Sequence, residues 1–257
     1  LNLNDLISFN QNYFPMMMMN SALLTKMGAA PFHAWFPEVM EGLNWPNCMI
    51  MLTWQKLAPM VILMYNTQMT LFLSGIIVFS AVIGGIQGLN QVSLRKIMAY
   101  SSINHIGWMI GSMLSSQPIW LMYFLTYTII SANIIVIFYL LNIFYLKQLF
   151  NSLNQNKMIK FFFILNFLSL GGLPPFLGFF PKWLTINGMV FSGFVALSVV
   201  LIVSTLITLF FYLRVTFSTL VINTKETLVM APRAKMLAIT FGNFIALMGL
   251  IVCTLIL

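Results

Sequence analysis

From residue 119 to residue 145 the chain runs without one charged side chain, and residues 71–89 do the same. Apolar stretches of about 20 residues are what a helix needs to cross a hydrocarbon core roughly 30 Å thick. Eight segments fit this template, at about 16–36, 47–65, 71–89, 96–114, 119–145, 159–190, 194–217 and 235–257. Only 6% of the 257 residues are charged and 60% are hydrophobic. A soluble domain carries about 25% charged residues, so lipid is the solvent that suits this surface. The expected fold is all-α: a polytopic transmembrane helix bundle of about eight spans.

Lys and Arg total 12 against 4 Asp and Glu, a net charge of +8. No basic run interleaves with aromatics as a nucleic-acid surface would require, so no nucleic acid is expected as a partner. With eight spans, nine of the cations fall on one side of the membrane: Arg95, Lys96, Lys147, Lys157, Lys160, Arg214, Lys225, Arg233 and Lys235. The opposite connections carry none, which by the positive-inside rule assigns the cationic side to the cytoplasm or a mitochondrial matrix. Two cysteines, Cys48 and Cys253, are too few for a four-cysteine metal or iron–sulfur site and read as small apolar residues. The chain opens at Leu1 with a polar stretch, 2–12, and with no initiator Met, so its true N-terminus is expected to lie upstream.

Three lysines remain, Lys26, Lys56 and Lys182, and all three fall inside spans. Each costs about 2.5–3.5 kcal/mol at a helix centre, so a purely structural chain avoids them. Low dielectric disfavours an ammonium, and a lysine so placed becomes able to accept and release a proton. The structural alternative is snorkelling with a satisfied hydrogen bond. His105, in Ser101-Ser102-Ile103-Asn104-His105, could relay a proton between lysines or simply bond a neighbouring helix. His33 follows a proline and could cap freed carbonyls, while Glu38 and Glu41 are expected at the cationic interface.

Two spans are interrupted, one at Gly28-Ala29-Ala30-Pro31 and the other at Gly171-Gly172-Leu173-Pro174-Pro175. Proline removes a ladder hydrogen bond, so each is expected to form two half-helices. Paired discontinuous helices of this kind are the mark of transporters built from inverted repeats. Gly84-x-x-x-Gly88 and Gly107-x-x-x-Gly111 point to close helix packing.

Four strings carry a family resemblance: LLTKMGAAPFHAWFPEVMEG (23–42), LTWQKLAP (52–59), GLNQVSLRKIMAYSSINHIGWM (88–109) and SLGGLPPFLGFFPKW (169–183). Together they resemble the subunit-2 branch of the antiporter-like subunits of respiratory complex I, NADH:ubiquinone oxidoreductase. That resemblance implies a proton-translocating, multi-pass subunit of the mitochondrial inner membrane with antiporter-like inverted repeats, the first incomplete. Within a single domain, 1–257, residues 1–65 would end the first repeat, 66–218 form the second, and 219–257 supply a C-terminal loop and last helix. Lys26 matches the family's lysine on the first broken helix, Lys56 its bridging lysine, and Lys182 the lysine of the second broken helix, so these three with His105 are the expected proton-transfer residues.

The resemblance also implies no cofactor on this chain, with NADH, FMN, iron–sulfur clusters and ubiquinone bound by other subunits. The partners implied are the other membrane-arm and accessory subunits and the lipid bilayer. Animal members carry three further N-terminal spans, one with a glutamate that partners the lysine matched by Lys26; the acids of this chain, Asp5, Glu38, Glu41 and Glu226, supply none at that depth. A subunit of a multi-subunit Na⁺/H⁺ antiporter is the alternative, and a purely structural scaffold a third reading.

Overall fold

The computed structural model describes residues 3–153, 157–174 and 176–221. Among them every named element is a helix: α1 (Leu3–Met27), α2 (Trp35–Gly42), α3 (Trp45–Leu52), α4 (Trp54–Tyr65), α5 (Thr70–Gly88), α6 (Leu94–Ser115), α7 (Gln117–Leu141), α8 (Leu146–Leu153), α9 (Lys157–Gly171), α10 (Phe179–Phe191) and α11 (Val195–Val221). Seven of the eight expected spans map onto these helices, while the eighth, 235–257, with Lys225, Glu226, Arg233, Lys235 and Cys253, lies outside the described residues. By length and composition alone, Trp45–Tyr65, α5, α7 and α11 are able to cross a membrane.

Both expected interruptions are present, and both end a helix in the same way. Gly28 and Gly172 adopt φ of +76° and +80°, a backbone region closed to most side chains. At the first break, Gly28 N donates to Thr25 O and Ala29 N to Leu24 O; at the second, Gly172 N donates to Ser169 O and Leu173 N to Leu168 O. These paired bonds form a Schellman cap, which satisfies carbonyls that the ending helix would leave bare. The sequence is shared too: Gly28-x-x-Pro31-Phe32-x-x-x-Phe36-Pro37 recurs as Gly172-x-x-Pro175-Phe176-x-x-x-Phe180-Pro181. In that register Glu38 occupies the place of Lys182.

Three features depart from expectation. The polar stretch 2–12 was expected to precede the first span, yet α1 already begins at Leu3. The span 47–65 is divided at Thr53, where Lys56 N turns back to Thr53 O and leaves Lys56 in the first turn of α4. The span 119–145 ends early at Leu141, and Leu146–Leu153 forms a separate short helix with one apolar face.

One end of the bundle is tied together by its cations. Arg95 donates to Leu43 O (2.8 Å) and Arg214 to Leu89 O (2.7 Å), so each guanidinium serves a carbonyl just past the C-terminus of α2 or α5. Lys96 pairs with Glu41 (2.8 Å) and Glu38 (3.3 Å) on α2. Ser93 and Tyr145 form an antiparallel bridge, with Leu94 N donating to Phe144 O and Leu146 N to Val92 O. Arg95, Lys96 and Arg214, three of the nine cations that the charge pattern groups on one side, thus share in tying this end together.

α6 is the central helix, buried on all sides from Ser101 to Met113. It meets α5 at backbone distance: a Cβ added at Gly84 would lie 2.7 Å from Asn104 N, and one at Gly107 would lie 2.6 Å from Ser80 Oγ. One glycine of each pattern marks this contact, while Gly88 packs on Phe211 and Gly111 on Met189 and Leu201.

Candidate functional site

The buried apolar residues divide into two clusters rather than one core. On α6 the first cluster stops at Ile103 and the second starts at Ile106; on α7 the border lies between Ile130 and Tyr127. Leu52 of α3 belongs to the first cluster and Met60 of α4 to the second, whereas on α11 the border falls between Phe211 and Leu201. Polar side chains fill the seam: Lys56, Asn104, His105, Lys182, Ser204 and Thr208, all buried. A buried polar layer is costly unless its groups find partners, so those without one are informative.

Lys182 is 6% exposed and finds its partners on the broken helix. It stands in the first turn of α10, and its Nζ donates to Gly171 O at 2.9 Å and to Leu170 O at 3.4 Å. These carbonyls sit at the C-terminus of α9, where the helix dipole is negative and favours a cation. Gly172 makes the approach possible, since a Cβ there would lie 2.8 Å from Lys182 Cδ and 2.9 Å from Nζ.

This geometry carries a prediction. Gly172→Ala costs about 1–2 kcal/mol for a left-handed L-residue and also dislodges Lys182. Gly193, at φ +84° with open space around it, incurs only the backbone cost on the same change. Gly172→Ala is expected to lower the activity of the protein in its membrane well below that of Gly193→Ala; equal activity would show that the Lys182 seat does not matter.

Lys56, 1% exposed, has no hydrogen-bond acceptor among the described residues. Its Nζ lies between two aromatic rings, 5.3 Å from the Tyr127 centroid and 5.5 Å from that of Phe36. Ring faces attract a cation without taking its proton. His105 lies beyond Tyr127, with ring centroids 5.0 Å apart, and its Nδ1 is 2.9 Å from the Tyr123 hydroxyl. Tyr123 stacks on Trp108, whose ring lies 5.8 Å from Lys182 Nζ. A continuous file thus runs Lys56, Tyr127, His105, Tyr123, Trp108, Lys182.

Of the expected site residues, Lys56, His105 and Lys182 are brought together and Lys26 is not. Lys26 lies in the last turn of α1, two residues before the first break, and is exposed. His33 lies within that break, with Nε2 3.0 Å from Gln87 Oε1 and Nδ1 3.3 Å from Pro31 O. Tyr123, Tyr127 and Trp108 were not foreseen. The available signal was spacing: Tyr123 and Tyr127 are one turn apart on α7, as Lys56 and Met60 are on α4. Among the described residues no group of three or more His, Cys, Asp or Glu could hold a metal ion.

Paired broken helices around a buried file of lysine, histidine and tyrosine define an antiporter-like membrane protein. The family described as "NADH:quinone oxidoreductase/Mrp antiporter, TM" matches residues 1–208. The same fold occurs in respiratory complex I from Thermus thermophilus, with a TM-score of 0.79 and 24% identity over 88% of this chain and 53% of that one. It occurs also in the Mrp complex from Dietzia sp., with a TM-score of 0.71 and 16% identity over 84% of this chain and 43% of that one. NADH-ubiquinone oxidoreductase chain 2 of Aedes aegypti is 48% identical over 237 residues, 91% of this chain and 69% of the relative. The Anopheles gambiae protein of that name is 45% identical over 249 residues, 95% of this chain and 73% of the relative. The chain belongs to the NADH-ubiquinone oxidoreductase chain 2 family.

Proposed function

We propose that the chain is a proton-translocating membrane-arm subunit of NADH:ubiquinone oxidoreductase, respiratory complex I, and that its own residues move protons while redox chemistry proceeds on other subunits. The observation that carries this reading is the file from Lys56 through His105 to Lys182, enclosed between two apolar clusters in a chain of this family. Lys56, His105 and Lys182 exchange protons along the seam. Lys26 joins the path through a group on a neighbouring element, for which its exposed position leaves room. In this reading 1–65 ends one repeat, 66–218 forms a second and 219–257 adds a loop and last helix. The recurrence of the Gly-x-x-Pro-Phe string supports the two-repeat division.

The reading places the chain in the mitochondrial inner membrane, in contact with lipid and with other membrane-arm and accessory subunits. It leaves NADH, FMN, iron–sulfur clusters and ubiquinone to those other subunits. The Mrp-type likeness, at 16% identity, concerns the fold.

Two measurements test the proposal. Isolation in mild detergent is expected to bring down an NADH-oxidising assembly; recovery with a cation/proton antiporter instead would overturn the assignment. Cysteines placed beside Lys157 and at Ser116 are expected to label from opposite membrane faces with an impermeant reagent. Labelling from one face would reject the topology on which the cationic side rests.

A further inference from the structure

Beside His105 a small cavity, with about 10 Å³ of space for the centre of a water-sized sphere, reaches from α7 to the second helix break; Tyr123, Thr126, Tyr127, Ser169 and Gly178 help to line it. That is about the room one water requires, and a buried water also needs two to four polar partners. The lining residues offer them. His105 Nε2 and the Tyr127 hydroxyl are buried with no hydrogen-bond partner among the described residues. The Tyr127 hydroxyl is near the Ser102 side chain without reaching bonding geometry. Ser169 Oγ accepts from Gly178 N at 3.3 Å, and its hydroxyl proton is available to a further acceptor.

We propose that this cavity binds a single water molecule, and that Tyr123 is a positioning residue that fixes His105 Nδ1 and leaves Nε2 to that water. The inference rests on the proton-transfer reading and gives it a route from the imidazole to the broken helix that seats Lys182. A phenol suits this task because it both donates and accepts. When His105 carries its proton on Nε2, the Tyr123 hydroxyl donates to Nδ1; when Nδ1 carries the proton, the same oxygen accepts a hydrogen bond from Nδ1–H. The Nδ1 bond therefore survives in either tautomer and in the imidazolium, and Nε2 can give a proton to the water oxygen or take one from it. As the water gains a proton from Nε2 of the imidazolium it passes another to a wall hydroxyl, Tyr127 or Ser169, which releases its own proton in turn, so the water and the hydroxyl keep their composition and His105 is left neutral.

The test uses the full chain in the assembled complex. A map at a resolution that shows ordered waters is expected to place one within hydrogen-bond distance of His105 Nε2 and of Tyr127 or Ser169; a clear map with no density there would overturn the proposal. Tyr123→Phe keeps the ring against Trp108 and removes only the hydroxyl. Tyr123 acts through His105 and does not itself transfer the proton, so its loss is expected to fall below the roughly 10²-fold of a proton-transfer group: proton pumping drops about tenfold, with a larger solvent deuterium isotope effect. Tyr127→Phe removes a hydroxyl that has no hydrogen-bond partner among the described residues and is expected to act in the same direction, which keeps the test open should Tyr123→Phe fail to assemble. Parental pumping and isotope effect in an assembled Tyr123→Phe complex, or in Tyr127→Phe where only that variant assembles, would reject the proposal if Lys56→Met and Lys182→Met remain impaired. Parental pumping in both lysine variants would instead reject the underlying reading.

Discussion

Lys182→Met is expected to cut proton pumping by the assembled complex roughly 10²-fold, the low end of what a positioned proton-transfer group contributes. Methionine keeps the length and apolar bulk of the stem but cannot titrate. It also leaves Gly171 O and Leu170 O without the ammonium that bonds them, and an unsatisfied buried acceptor costs about 1–3 kcal/mol. Some loss of assembled protein is therefore expected, and pumping is to be measured per assembled complex. Lys56→Met provides the cleaner comparison, because Lys56 Nζ bonds no acceptor among the described residues and its removal orphans nothing. It is expected to assemble as well as the parent while pumping as poorly as Lys182→Met. Unchanged turnover and unchanged protons per NADH in either variant would remove that lysine from the path.

The second large effect concerns assembly rather than transport. At Gly84 an added Cβ would meet backbone on the facing helix, Asn104 N at 2.7 Å and Tyr100 O at 2.9 Å, and no side-chain rotation relieves such a contact. Overpacking commonly costs 1–3 kcal/mol, and with backbone on both sides Gly84→Ala should lie near the top of that range, about 3 kcal/mol. The amount of assembled subunit in membranes is expected to drop sharply. Gly75, on the same helix with nothing within 4 Å of its would-be Cβ, is the control. There alanine gains helix propensity, about 0.8–1 kcal/mol, and is expected to do no harm. Equal yields of the two variants would show that α5 and α6 tolerate separation.

The difference between what was legible and what was not follows from what a bilayer penalises. Lys56 and Lys182 stood out because an ammonium within an apolar span is costly, and the two breaks because proline and glycine disrupt the helical ladder. The tyrosines left no such trace: in 119–145 a Tyr is one more large apolar residue, and its hydroxyl matters only once α6 is packed against it. Thr53 gave no warning because its helix break depends on how Lys56 N turns back, and not on a glycine at that point. α8 was hidden because eight residues with one apolar face are too short for the span template. Lys26 shows the reverse failure. It does lie on a helix, in the last turn of α1, but a position along a helix does not say which way the side chain faces, and within this chain it is exposed and outside the seam.

The close seating of α6 restricts how distant events can be felt here. Its backbone is meshed with α5 at Gly84 and Gly107, and its N-terminus is strapped to the α7–α8 connection through the Ser93–Tyr145 bridge. A helix held in this way has almost no axial play, so it is poorly suited to act as a piston. Packed interfaces of this kind switch between discrete arrangements rather than yielding by degrees. On the proposed proton-transfer reading, information that reaches His105 from elsewhere would then travel as relocated charge, with α6 serving as a fixed chassis beside it.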